Sequence, residues 1–129
     1  MRRELVIIGL GLDLTEISRI GSLVERWGSR FINRIYTEGE RDFALARALP
    51  ARHFAARFAA KEATLKALRV PQGLSWHEME VLGGGSEPPI MVLRGAALVA
   101  ADKIGVARMH LTISHDCNTA AAVVIAEAK

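Results

Sequence analysis

One run of residues constrains this chain more than any other. Ala51 to Arg69 contains no glycine or proline, and seven of its residues are alanine, the strongest helix former. The run predicts the longest and cleanest helix of the chain, ended by Pro71 and Gly73, with Phe54, Phe58, Leu65 and Leu68 as its apolar stripe. A chain of 129 residues and 14.0 kDa has material for one core, so the other segments must pack around that helix in a single domain spanning residues 1–129.

Those segments change character along the chain. Leu5 to Leu12 is short, rich in branched residues and broken by Gly9 and Gly11, which predicts a buried strand giving out at Asp13. Thr15 then reads as the N-cap of a helix with Ile17, Ile20, Val24 and Trp27 at helical spacing and Gly28 as its stop. Phe31, Ile32 and Ile35 mark a second short helix. Thr37-Glu38-Gly39-Glu40 has the capping-box pattern and opens a third, running until Pro50. Beyond the long helix, Glu78 to Leu82 and Pro89 to Leu93 predict two strands joined by Gly83-Gly84-Gly85-Ser86. Gly95 to Ile104 predicts a helix closed by Gly105. His110 to Ser114 and Ala120 to Ala126 predict two strands joined by an Asp116-Cys117-Asn118-Thr119 turn. The order is β, several α, β-β, α, β-β. It points to an α+β fold with an antiparallel sheet rather than alternating βαβ units.

Composition removes several function classes. Half the residues are hydrophobic, which excludes disorder. Seventeen Lys and Arg against fourteen Asp and Glu leave a net charge of +3. That favours a phosphate-bearing ligand or an acidic partner, but is too little for a protein that coats nucleic acid. Aromatic residues make up only 5%, which argues against a base-stacking surface. A single cysteine, Cys117, excludes an internal disulfide framework and a cysteine-rich metal site, and it has no evident activating neighbour. Arg2 and Arg3 ahead of an apolar run imitate a signal peptide, but Glu4 and Asp13 bound the run and no cleavage site follows. No apolar stretch approaches the ~20 residues of a membrane-spanning helix, so a soluble, cytoplasmic protein is expected.

Few residues carry chemistry. Gly9-x-Gly11 is not a dinucleotide fingerprint, because Leu14 stands where the third glycine belongs; close packing of the strand explains it better. Glu62 lies about 40° from Phe58 around the long helix, within its apolar stripe, and a carboxylate there must be paired, protonated or metal-bound. Asp13 at the end of an apolar strand faces the same difficulty. Two readings stand. An i,i+4 pair of Glu62 with Lys66 and a cap role for Asp13 is the one that spacing alone favours. The other has both carboxylates holding Mg²⁺ together with substrate phosphates. Arg57, Lys61 and Lys66 form either a solvated basic face or, beside a metal, a grip for a polyphosphate. Ser114-His115-Asp116 cannot be a hydrolytic triad, because consecutive strand residues point in alternate directions; His115 or Asp116 alone remains a candidate acid or base.

Together these segments resemble the holo-acyl-carrier-protein synthases, a family of small 4′-phosphopantetheinyl transferases. Ile8-Gly9-Leu10-Gly11-Leu12-Asp13 through Ile20 is similar to the family's opening motif. Arg57-Phe58-Ala59-Ala60-Lys61-Glu62-Ala63 with Lys66-Ala67 is similar to its central helix, and Leu111 to Asp116 with Ala120 and Val124 to Glu127 to its closing hairpin. The resemblance implies the phosphopantetheinyl transferase fold, an antiparallel sheet packed with helices, one of them long and central. It implies transfer of 4′-phosphopantetheine from coenzyme A to a serine of an acidic acyl carrier protein, as in fatty acid or polyketide synthesis, by a Mg²⁺-dependent homotrimer with active sites at subunit interfaces. Asp13 and Glu62 would be the metal ligands. Arg57, Lys61, Lys66, Ser114 and His115 would bind coenzyme A, and Asp116, His115 and Lys66 would be catalytic, Asp116 as base. Arg19 and Arg26 would meet the carrier protein. The chain departs from the family at Glu87-Pro88-Pro89, where a Gly-Lys-Pro-like turn is usual, and at Thr119, where many members place an aromatic residue. The competing classes are a basic α+β module that binds nucleic acid and a non-catalytic trimeric subunit of a larger synthase.

Overall fold

The computed structural model describes residues 6–70 and 73–129; the expected strand start at Leu5 and the helix stop at Pro71 lie outside them. Strand β1 (Ile7–Glu16) turns Gly9, Gly11, Asp13 and Thr15 to one face and Leu10, Leu12 and Leu14 to the other. The glycine face lies against the long helix α4 (Pro50–Leu68). A Cβ on Gly9 would overlap the carbonyl oxygen of Ala67, and one on Gly11 that of Ala63. Glycine on the strand and alanine on the helix let the two backbones touch, which is the packing role expected of Gly9-x-Gly11.

Three antiparallel strands in the order β1-β5-β4 form the main sheet, with β4 (Val106–Asp116) and β5 (Thr119–Ala128) joined by a turn at Cys117 and Asn118. The turn is shorter than the four residues expected, because pairing continues to Asp116↔Thr119, and Cys117 takes a positive φ of 51°. β1 also runs further than expected. Its pairing with β5 continues through Asp13↔Ala122 to Glu16↔Thr119, so Asp13 sits inside the strand rather than at its end. Thr15 is consequently not a cap. Helix α1 (Ile17–Trp27) starts from Glu16 without a side-chain cap, and the Thr15 hydroxyl donates instead to Asp13 Oδ2 at 2.9 Å.

Helix α2 (Ser29–Ile35) follows Gly28. Helix α3 (Glu38–Leu45) opens on the expected capping box of Thr37 and Glu40 but stops well before Pro50. After α4, a single 3-10 turn (Trp76–Glu78) with its own Ser75–Glu78 capping box leads into a two-stranded sheet of β2 (Met79–Leu82) and β3 (Ile90–Leu93). Helix α5 (Gly95–Lys103) comes next. The architecture is α+β with antiparallel sheets.

Two expectations about helix faces fail. Phe54 and Leu68 of α4 are buried, but Phe58 and Leu65 are only partly so; the innermost row is Ala55, Ala59, Ala63 and Ala67. Helix α4 is enclosed on most sides by β1, β5, α1, α3 and β2, so no single apolar stripe describes it. Trp27, placed on the apolar face of α1, is 46% exposed, with the guanidinium groups of Arg26 and Arg30 5.1 and 5.9 Å from its ring centroid. Two clusters of buried side chains share α4. One joins its C-terminal half to β2, β3, α5 and the inner face of β5, the other its N-terminal half to α1, α2, Tyr36 and Ala44. Among the described residues, no helix is long and apolar enough to cross a membrane.

Candidate active site

The backbone contact between β1 and α4 brings two carboxylates together. Asp13 points from the inner face of β1 towards α4, where its Oδ1 lies 3.3 Å from Lys66 Nζ. Lys66 Nζ also donates to the Leu12 carbonyl oxygen at 2.8 Å. Glu62 stands one turn before Lys66. Burial pushes its carboxyl above the usual carboxylate range, the Asp13 carboxylate adds to the rise, and Lys66 and Arg19 pull the other way. The expected Glu62–Lys66 pair is not formed among the described residues; Lys66 serves Asp13 instead. Glu62 is therefore a partly buried carboxylate with another carboxylate beside it. No group of three or more His, Cys, Asp or Glu gathers among the described residues. A cation held here would take two protein carboxylates and complete its shell with water or phosphate oxygens, which suits Mg²⁺.

A second cluster occupies the other flank of α4. Arg52, His53, Ala56 and Arg57 line a cavity of about 250 Å³ with Gly84, Gly85, Glu87, Pro89, Ile113 and His115. Arg57 is 2% exposed, and its Nη2 donates to the Gly83 carbonyl oxygen at 2.7 Å. Burial and the neighbouring Arg47 lower its pKa to about 10, while Glu40 opposes the shift. The imidazole of His53 is pushed below its usual range by burial, then by Arg47, Arg57, Arg52 and His115. Arg52 and Arg57 at one opening, with Arg47 close by, form a receptor for an anion. Glu87, from the departing Glu87-Pro88-Pro89 segment, puts one carboxylate at its edge.

Glu62 and His53 are nine residues apart on α4, which at about 100° per residue sets them on opposite sides of the helix. Within one chain, the carboxylate pair and the cationic cavity thus face away from each other. His115 joins the cavity. Ser114 does not, because it projects from the other face of β4 beside Ala121. Asp116 shares the Ser114 face at the hairpin tip, where among the described residues its Oδ1 accepts only from Cys117 Sγ at 3.7 Å. Arg19 and Arg26 are exposed on α1.

Lys61 requires a correction. Expected to grip coenzyme A, it is 0% exposed and ion-paired to the equally buried Glu40 at 2.7 Å. Its ammonium also donates to the Trp76 and Met79 carbonyl oxygens, so all three donors are used inside the protein. Glu40 in turn accepts from the backbone N–H groups of Thr37 and Val81. Lys61 is an internal clamp. Arg52 and His53 were missed by sequence reasoning, although His53 lies one helical turn before Arg57 and spacing alone could have grouped them.

Residues 9–121 match the sequence profile of the 4′-phosphopantetheinyl transferase superfamily. The chain belongs to this family. It is 45% identical over 125 residues to the holo-[acyl-carrier-protein] synthase of Anaeromyxobacter dehalogenans strain 2CP-1, covering 95% of this chain and 97% of that one. The crystal structure of the holo-ACP-synthase from Plasmodium yoelii superposes with a TM-score of 0.82 at 28% identity, over 98% of this chain and 99% of that one. The Helicobacter pylori holo-[acyl-carrier-protein] synthase, solved in complex with coenzyme A, superposes at 0.78 with 28% identity, over 91% of this chain and 98% of that one. The phosphopantetheinyl transferase fold expected from the motifs is therefore the fold observed. The nucleic-acid module and the non-catalytic subunit find no support in these comparisons.

Proposed function

We propose that this chain is a holo-[acyl-carrier-protein] synthase. It moves 4′-phosphopantetheine from coenzyme A to a serine of an apo acyl carrier protein and releases adenosine 3′,5′-bisphosphate. The observation that carries this reading is the pairing of Asp13 with Glu62, whose carboxyl is raised by burial and by its neighbour. The relatives' names and the coenzyme A complex of a neighbouring structure supply donor and acceptor.

In the reaction the serine Oγ bonds to the β-phosphorus of the diphosphate. The bridging P–O bond breaks, and its electron pair leaves with the nucleotide. Asp13 and Glu62 would hold Mg²⁺, which when bound neutralises charge on the diphosphate and the departing phosphate. Lys66, already 3.3 Å from Asp13, adds positive charge at the same place. Arg52, His53, Arg57 and His115 bind the nucleotide half through its remaining phosphate, holding the diphosphate in line for attack. Asp116, an exposed carboxylate, takes the serine proton.

Because α4 separates the carboxylate pair from the cationic cavity, we assign the complete site to the boundary between two copies of the chain, in a homotrimer. The outer face of the main sheet supports this. Leu10, Leu12 and Leu14 are exposed there, beside Ala121, Val123 and Ile125 on the paired strand. The carrier protein docks on α1 through Arg19 and Arg26. Arg19 is close enough to Glu62 to lower its carboxyl pKa, so that docking face runs into the reaction site.

The test is direct. Purified protein is incubated with coenzyme A, Mg²⁺ and an apo acyl carrier protein, and the carrier is weighed by mass spectrometry. The expected result is a phosphopantetheine mass increment on one serine, absent when coenzyme A is omitted. An unmodified carrier after prolonged incubation contradicts the assignment.

A further inference from the structure

Beneath the glycine turn between β2 and β3 lies an arrangement that the reaction as derived does not use. The guanidinium carbons of Arg47 and Arg57 sit 3.2 and 3.7 Å from the centroid of the same ring, Phe43. Two such groups cannot share one face at these distances without overlapping, so they lie on opposite faces, and like charges are stacked through one benzene ring. Among the described residues, neither arginine has a carboxylate at ion-pair distance. Arg47 Nη1 donates to the Phe43 carbonyl oxygen at 2.7 Å, and Arg57 Nη2 to that of Gly83. Among the described residues, the buried Nε of Arg57 has no hydrogen-bond partner. His53 meets the same ring edge-on, with centroids 5.5 Å apart.

The turn packs against this stack. A Cβ on Gly85 would come within 2.9 Å of Arg47 Nη2, and one on Gly84 within 3.6 Å of Arg57 Nη2. The turn therefore lies in contact with both guanidinium groups. Two positive charges held close together repel each other; one carbonyl oxygen each and the more distant Glu40 offset this in part, and the negative faces of the ring hold them as well. A ligand carrying two negative charges would relieve that repulsion on binding.

We propose that Phe43 is a positioning residue for the cationic cavity: its ring is the spacer that keeps Arg47 and Arg57 in place for a dianionic phosphomonoester. This rests on the reading that coenzyme A is the donor. Its diphosphate is required at Asp13 and Glu62, which leaves its terminal phosphomonoester for this flank of α4.

The experiment replaces Phe43 by pentafluorophenylalanine, which keeps the ring's shape and reverses its quadrupole, so packing survives and cation attraction does not. Steady-state kinetics are measured with coenzyme A and with 3′-dephospho-coenzyme A. The KM for coenzyme A should rise roughly tenfold with kcat within about twofold, while the KM for the dephospho donor stays put. Phe43→Leu should show the same split, with its melting temperature reporting whether the fold is kept; if it is lost, the fluorinated protein decides. A KM ratio between donors equal to that of the wild type in the fluorinated protein overturns the role of Phe43. A wild type that does not distinguish the two donors places the phosphomonoester elsewhere, and removes the pocket assignment while leaving the transferase reading to the mass assay.

Discussion

Lys61 and Glu62 are neighbours on α4, yet their charges are treated in opposite ways. Lys61 is buried, and the fold answers it fully with Glu40 and two carbonyl oxygens. Glu62 is only partly buried, and the nearest element brings it another carboxylate. The difference separates structural from functional charge within one motif. A charge that the chain neutralises holds the fold together, and one that it leaves unanswered awaits a ligand. The same contrast recurs across the helix, where among the described residues neither Arg47 nor Arg57 has a carboxylate at ion-pair distance while Lys61, one turn after Arg57, has one.

Removing the answered charge should have the largest effect on stability. Lys61→Ala leaves Glu40 buried without its cation, which should cost about 3–5 kcal/mol. Thermal unfolding followed by circular dichroism should show a fall in melting temperature of roughly 6–20 °C, since each kcal/mol moves a domain of this size by about 2–4 °C or slightly more. A melting temperature unchanged from wild type would mean that the pair contributes nothing, and the contrast would collapse.

Glu62→Gln is the opposite case. Turnover should drop at least a hundredfold or so, and chelation of divalent cations should do the same to the wild type. The melting temperature should hold or rise slightly, because a carboxylate beside Asp13 has been removed. A mutant with wild-type turnover, or a large loss of stability, would place Glu62 with Lys61 as a structural residue.

How much of this was legible beforehand follows from the same physics. The α3 capping box, the glycine stop of α1 and the long alanine-rich helix are local signals, and they hold. The packing of Gly9 and Gly11 was legible because only a close neighbour explains two glycines in an apolar strand. The burial of α4 was not. Alanine carries almost no periodic signal, so four phenylalanine and leucine positions suggested a stripe that the tertiary structure overrides. That stripe singles out Glu62, but after burial the main influence raising its pKa is Asp13, forty-nine residues away in sequence on a strand longer than expected. The clamp on Lys61 depends on Glu40 from another helix, which no spacing rule reveals.

A smaller effect is expected at the docking face. Arg19→Glu should change stability by no more than about 0.5 kcal/mol, because the side chain is exposed. It should raise the carrier protein's KM by about tenfold while the KM for coenzyme A hardly moves. Added salt should reproduce the effect in the wild type and add little to the mutant. Equal losses for both substrates would indicate a defect in assembly or folding, and the docking assignment would be wrong.

We infer that the two flanks of α4 are halves of one site, completed by a second copy of the chain. Co-expression of Glu62→Gln with His115→Ala tests it, since each variant keeps the half that the other lacks. Separately, each should be nearly inactive. In mixed oligomers formed from equal amounts, about a quarter of the sites should combine two intact halves, so activity should return to about a quarter of the wild-type level. If the mixture stays as inactive as its components while differently tagged chains co-purify, each site lies within one chain, and the account of a divided active site is wrong.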